Sequence, residues 1–290
     1  MHRLGQGFYP RPTYDRSMRV FLGPAGIPVA AEERTTTGGL LTLRRLGLDA
    51  MEVEFVRSVY LSRGAAESVG ELADQLGIQL TVHAPYFINL LSEKRETVEA
   101  SKRRILESLD RAEAMKAEAV VVHPAYYGKL GREEAFEEME RVTHELLDGA
   151  EAIGGKAKLA YETMAKESQF AGLDELLRLV ETVKSSRLTI CVDFAHLYVR
   201  GNGRINYAEV LDKLRNFSHI YSHFSNMKYN PKTRRFTDIH EPIDDHPPFK
   251  PLAEEILRRG IDITIISESP ILEADSLKMK ETLKELGYKL

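Results

Sequence analysis

The sequence contains a single cysteine, Cys191, so no internal disulfide can form and a reducing interior is expected. Within ICVD its thiol reads as a small, buried strand residue. No apolar run approaches the ~20 residues that a membrane span needs, which points away from a membrane protein. Neither charge sign dominates: 40 lysines and arginines face 44 aspartates and glutamates, mixed along the chain. That balance speaks against a protein that coats nucleic acid without selectivity, while leaving room for a local basic groove. The opening residues MHRLGQGFYPRPTYDR lack the apolar core of a signal peptide, so a cytoplasmic protein is expected. Their prolines and arginines mark residues 1–18 as an irregular arm. Neither low-complexity sequence nor a linker interrupts the rest, and residues 1–290 are expected to form one domain, as a monomer.

Hydrophobic residues make up 43% of the 290, enough for a sizeable core. Short apolar runs alternate with longer amphipathic ones. Strands are expected at VFLG (20–23), MEVEF (51–55), IQLTVH (78–83), AVVVH (119–123), KLAYE (158–162), LTICVD (188–193), HIYSH (219–223) and DITIISE (262–268). Apolar residues recurring at three and four mark helices over 96–117, 133–154 and 173–184. Gly77 stands between a helix and a strand, where a helix-terminating glycine belongs. Strands separated by helices pair in parallel through right-handed crossovers. Eight such α/β units fit a (β/α)8 TIM barrel better than an open doubly wound sheet.

The strand ends carry the chemistry. The third strand ends in His83, the fourth in His123 and the fifth in Glu162. The sixth ends in Asp193 with His196 just beyond, the seventh in His223 and the eighth in Glu268. DIH, after the seventh strand, adds Asp238 and His240. In a parallel barrel all these ends lie on one face. A lone strand-terminal histidine is more often a hydrogen-bonded structural residue than a ligand. Nine acids and imidazoles from six strands at one mouth need a joint task. Buried carboxylates repel one another unless cations intervene. Imidazole and carboxylate without thiolate suit zinc or another borderline divalent ion, and nine donors suit two or three ions with bridging carboxylates.

VHAPYFINL (82–90), VVHP (121–124), YET (161–163), CVDFAH (191–196), SHFSN (222–226), DIH (238–240) and SESP (267–270) resemble the endonuclease IV family, in the manner of a divergent, archaeal-like member. These are apurinic/apyrimidinic DNA-repair endonucleases on the xylose-isomerase-like TIM barrel, and the resemblance runs from about Val20 to the C-terminus. It implies three zinc ions, with manganese able to substitute in part. His83, His123 and Glu162 would hold the first. Glu162 would bridge to the second, completed by Asp193, His223 and Glu268. His196, Asp238 and His240 would hold the third. The implied reaction is hydrolysis of the phosphodiester 5′ to an abasic site in duplex DNA, leaving a 3′-hydroxyl, with Glu162 as the catalytic bridging carboxylate. The sequence departs from the family at FLGPAGIP (21–28), where a histidine usually ends the first strand. It departs again at Glu241, Pro242 and Ile243, where many members have histidine and glycine, and in the less glycine-rich loop 164–172. All nine candidate ligand positions stay intact.

Tyr86 and Phe87 follow His83, where family members enter the duplex at the lesion. An aromatic wedge there fills the space of an extruded nucleotide. Tyr86 is the favoured reader of the lesion, with packing of the loop an even alternative for Phe87. Lys228, Lys232, Arg234 and Arg235 in NMKYNPKTRRF (226–236), a stretch expected to be a solvated loop, and Arg57 past the second strand, are candidate phosphate contacts. Arg200 and Arg204 are weaker ones. Two other readings compete. A divalent-metal sugar isomerase or epimerase of the same superfamily would need only Glu162, Asp193, His223 and Glu268, leaving five residues idle. A non-catalytic DNA-binding protein would be favoured by a lost ligand, and none is lost.

Overall fold

A computed structural model describes residues 18–289, so the arm expected over residues 1–18 lies outside the described residues apart from Met18, which is buried. Eight parallel strands form the sheet: β1 (Val20–Pro24), β2 (Ala50–Glu54), β3 (Gln79–His83), β4 (Ala119–Val122), β5 (Lys158–Glu162), β6 (Leu188–Asp193), β7 (Ile220–Phe224) and β8 (Ile263–Ser267). From β2 to β8 each pairs with the next in sequence, and β8 pairs with β1. The remaining gap, between β1 and β2, is nearly closed by a parallel bridge from Ala25 to Glu52 and by the Gly26 N–H donating to Glu52 O at 2.9 Å. Gly23 is what lets the two strands meet, since a Cβ there would lie 1.7 Å from the Ala50 carbonyl oxygen. The result is a TIM barrel rather than an open doubly wound sheet.

Helices follow the strands and bury one stripe each. The helix Arg132–Ile153 turns Phe136, Met139, Leu146 and Ala150 inward, at the spacing of a single face. Gly77 ends the helix Arg63–Leu76 in the left-handed region, at φ 67°. The strands alternate strictly. Met51, Val53, Leu80, Val82, Val120, Val122, Leu159, Tyr161, Ile190 and Val192 join the large core. Their neighbours Ala119, Val121, Ala160, Cys191 and Tyr221 form a separate small cluster. The period of two thus divides each strand between a helix-covered outer layer and a narrow barrel interior. Cys191, as expected, is a buried strand residue.

Residues 226–236 differ from the loop expected there. Asn226–Asn230 and Arg235–Glu241 form an antiparallel hairpin. The Asn230 carboxamide oxygen, accepting from the Lys232 and Thr233 N–H groups at 3.0 and 3.4 Å, turns the chain at its tip. No helix among the described residues is long and apolar enough to cross a membrane.

Candidate metal centre

The structure gathers all nine predicted residues at the C-terminal mouth of the barrel. They fall into three groups whose donor atoms lie within 4.8 Å of one another: His83, His123 and Glu162; His196, Asp238 and His240; Glu162, Asp193, His223 and Glu268. Glu162 belongs to two groups and is fully buried. Its Oε2 lies 2.9 Å from His123 Nε2 and 3.4 Å from His83 Nε2. Its Oε1 lies 2.9 Å from His196 Nδ1 and 3.5 Å from His223 Nδ1. Asp193 also begins the short helix Phe194–Arg200, its Oδ1 accepting from the His196 N–H at 2.7 Å.

Backbone and hydroxyl groups orient three of the rings. His83 Nδ1 meets Ala84 O at 2.8 Å, His196 Nδ1 meets Thr163 O at 2.9 Å, and His240 Nδ1 meets the Ser225 hydroxyl at 2.7 Å. Each Nε2 is left for the centre. Lys166 Nζ lies 3.2 Å from Asp238 Oδ2, and His196 Nε2 lies 3.2 Å from Asp238 Oδ1.

The donors fit divalent cations. His123 Nε2, Glu162 Oε1, Asp193 Oδ2, His223 Nδ1 and Glu268 Oε2 are buried without a hydrogen bond. Several lie at ion-pair distance from each other without being aligned as donor and acceptor. Lone pairs that converge on a common point produce that geometry, and a cation there would satisfy them.

Charge and burial oppose each other in the cluster. Burial pushes Glu162 up, but the His123 and His223 imidazoles outweigh it and hold its carboxyl well below the usual range. Burial, with Glu162 and Asp193 nearby, drives Glu268 well above it. His83 is pushed up to about 10 against its burial, by Glu54, Glu162 and Glu52. His196 is raised against its burial by Asp193, Asp238 and Glu162. Protons on His83, His196 and His223 thus offset the carboxylate charge that cations would otherwise offset, while burial holds His123 and His240 toward the neutral form.

The xylose isomerase-like TIM barrel profile matches residues 40–286. The chain belongs to the xylose isomerase-like TIM barrel family. One relative is an uncharacterized protein of Methanocaldococcus jannaschii, 30% identical over 285 residues, which span 94% of this chain and 100% of that one. A probable endonuclease 4 of Mycoplasma mobile is 28% identical over 217 residues, 72% of this chain and 75% of that one. The crystal structure of endonuclease IV from Thermus thermophilus matches with a TM-score of 0.69 at 22% identity, over 90% of this chain and 99% of that one. A D-tagatose 3-epimerase-like protein matches with the same TM-score, 0.69, at 25% identity, over 91% of this chain and 96% of that one. The endonuclease IV resemblance read from the motifs is therefore met among relatives. The xylose isomerase-like barrel also carries epimerase names, so the fold alone does not choose a reaction.

Within this barrel the predicted DNA contacts are spread around the mouth. Lys228, Lys232, Arg234 and Arg235 are exposed on the hairpin, and Arg57 is exposed past β2. Arg204 is exposed, whereas Arg200 is occupied: its Nη1 donates to Met164 O at 3.0 Å and so holds the loop after β5. Tyr86 is exposed at the mouth and also touches the centre. Its ring tilts against His83 and His123, with centroids 5.0 and 5.6 Å away, and its hydroxyl donates to Glu54 Oε2 at 3.4 Å. Phe87 is the ring that projects, 63% exposed against 45% for Tyr86.

The sequence reading missed two residues at the centre, Glu52 and Glu54 of β2. Glu52 is fully buried, with its Oε1 2.9 Å from His223 Nε2. Glu54 Oε1 is buried without a partner, and burial together with Glu52 pushes its carboxyl up to about 7. The available signal was the pattern EVE in a strand whose two faces are both covered.

Proposed function

We propose that this chain is a DNA-repair endonuclease that hydrolyses the phosphodiester 5′ to abasic sites in duplex DNA, leaving a 3′-hydroxyl, with three zinc ions in the centre described above. One observation carries the reading: the nine residues divide into three donor groups, two of which share Glu162. A one-ion reaction would leave His83, His123, His196, Asp238 and His240 without a task. Zinc held there would supply a water acidic enough to ionise near pH 7 and positive charge for a phosphate. The chain's own residues do the rest. Glu162 sets the spacing between two of the groups. Asp238 is braced by Lys166, and the carbonyls of Ala84 and Thr163 fix the His83 and His196 rings. The hairpin's Lys228, Lys232, Arg234 and Arg235 offer sequence-independent phosphate contacts. Phe87 offers a ring to the gap left by a missing base.

The test loads the protein with zinc and follows a duplex containing one abasic site. Nicking 5′ to the lesion, with a 3′ end that a polymerase extends, is the expected result, together with close to three zinc ions per chain by elemental analysis. Full activity with one ion or fewer would remove the three-ion reading. A second reading, a sugar isomerase or epimerase, is favoured by the separate Glu162, Asp193, His223 and Glu268 group. Ketose epimerisation with manganese, and no nicking by metal-loaded protein, would establish it instead.

A further inference from the structure

The candidate ligand groups account for neither Glu52 nor its contact with His223. An imidazole presents one lone pair to a cation, and the hydrogen bond made by its other nitrogen decides which one. His83, His196 and His240 are held through Nδ1, by two carbonyls and a hydroxyl. His223 is turned the other way. Its Nδ1 faces Glu162 Oε1 and Glu268 Oε1, each at 3.5 Å, while its Nε2 lies 2.9 Å from Glu52 Oε1, at ion-pair distance though not aligned as a hydrogen bond. Glu52 is itself anchored. Thr81, its register partner on β3, donates its hydroxyl to Glu52 Oε2 at 2.8 Å. Both acceptor and anchor are buried inside the barrel, where a carboxylate is retained only if something uses its charge.

We propose that Glu52 is a positioning residue: it accepts the Nε2–H of His223 and so commits Nδ1 to the cation shared with Glu162, Asp193 and Glu268. This rests on reading that group as a metal site. A charged acceptor does more than a carbonyl does for the other rings, because it raises the basicity of the ligating nitrogen as well as aiming it.

The experiment uses zinc-loaded full-length protein and two readouts, zinc affinity by chelator competition and the protonation of each His223 ring nitrogen by long-range 1H–15N NMR. Wild type is expected to show zinc on Nδ1 and a proton on Nε2. Glu52→Met keeps the volume and removes the acceptor. It should weaken one of the bound ions by about ten- to a hundredfold, leave the others in place, and blur the His223 tautomer. Glu52→Gln keeps an acceptor oxygen and should restore the tautomer with part of the affinity. If Glu52→Met does not fold, Thr81→Val, which frees Glu52 Oε2, should shift both readouts in the same direction by less. Zinc on His223 Nε2 in wild type, or unchanged affinity and tautomer in the variants, overturns the proposal while leaving the metal centre standing. A wild type that binds no ion at this group overturns the metal reading, and the proposal with it.

Discussion

Phe87→Ala separates lesion reading from metal binding. The ring is 63% exposed, so it packs little, and its removal should change stability by no more than about 0.5 kcal/mol. Its backbone is held in place: the Phe87 carbonyl accepts from Arg104 Nη1 at 3.2 Å, and Asn89 Oδ1 two residues on accepts from the Tyr126 N–H at 3.2 Å. An aromatic ring presented on an anchored loop can stack where a base is missing, worth roughly 1–3 kcal/mol, or about a five- to hundredfold loss of affinity when removed. Tyr86 behaves differently, because its ring tilts against His83 and His123. Tyr86→Ala should lower metal retention along with DNA affinity. Tyr86→Phe keeps the ring and loses only a long contact to Glu54, so it should stay within about twofold of wild type. The assay is an anisotropy titration with abasic and intact duplexes, with zinc content measured on the same samples. If Phe87→Ala weakens both duplexes equally, or neither, the ring does not read the lesion and the assignment of this loop is wrong.

Three further outcomes are expected. Glu162→Gln should lower nicking by on the order of 10²-fold or more while the melting transition stays cooperative, since a neutral amide bridges cations poorly; wild-type-like nicking would refute its role. Zinc binding should release protons and strengthen as pH rises, because histidines such as His83, raised to about 10, must give up their protons first; calorimetry at pH 7 in buffers of differing ionisation enthalpy measures this, and zero release would contradict the charge balance described. Replacing Arg234 and Arg235 together should weaken all duplexes alike and make the salt dependence shallower by about two in slope; a loss confined to abasic duplex would show that they read the lesion rather than phosphate.

The barrel and the candidate centre were legible for a common reason. A strand that must end at the mouth leaves its polar residue at a fixed place, the last or next position of an apolar run. His83, Glu162, Asp193 and the rest therefore stand out one by one in the sequence, and the alternation of strand and helix brings them to one face. The hairpin at 226–241 was read as a loop because its charges and Pro231 mask the alternation of Met227 and Tyr229. Tyr86 could not be told from Phe87 by spacing, since which ring tilts against the histidines depends on the turn between β3 and the following helix.

Glu52 and Glu54 were hidden for a deeper reason. In MEVEF the acids alternate with Met51, Val53 and Phe55, which is the pattern of a strand with one wet face and one dry face. In a helix-covered barrel the apolar set faces outward, into the large core beneath the helices, where Met51, Val53 and Phe55 lie. The acids face the axis. The same alternation thus carries opposite meanings in an open sheet and a closed barrel: the polar face of a barrel strand points toward the site, and a short strand with two acids on that face adds charge to it. Glu52 and Glu54 raise the carboxylates gathered there from the four of Glu162, Asp193, Asp238 and Glu268 to six. That excess favours cation binding, and under the proposed function a polyanionic substrate would meet those cations first, through the hairpin's basic residues and the mouth rather than through the acids below.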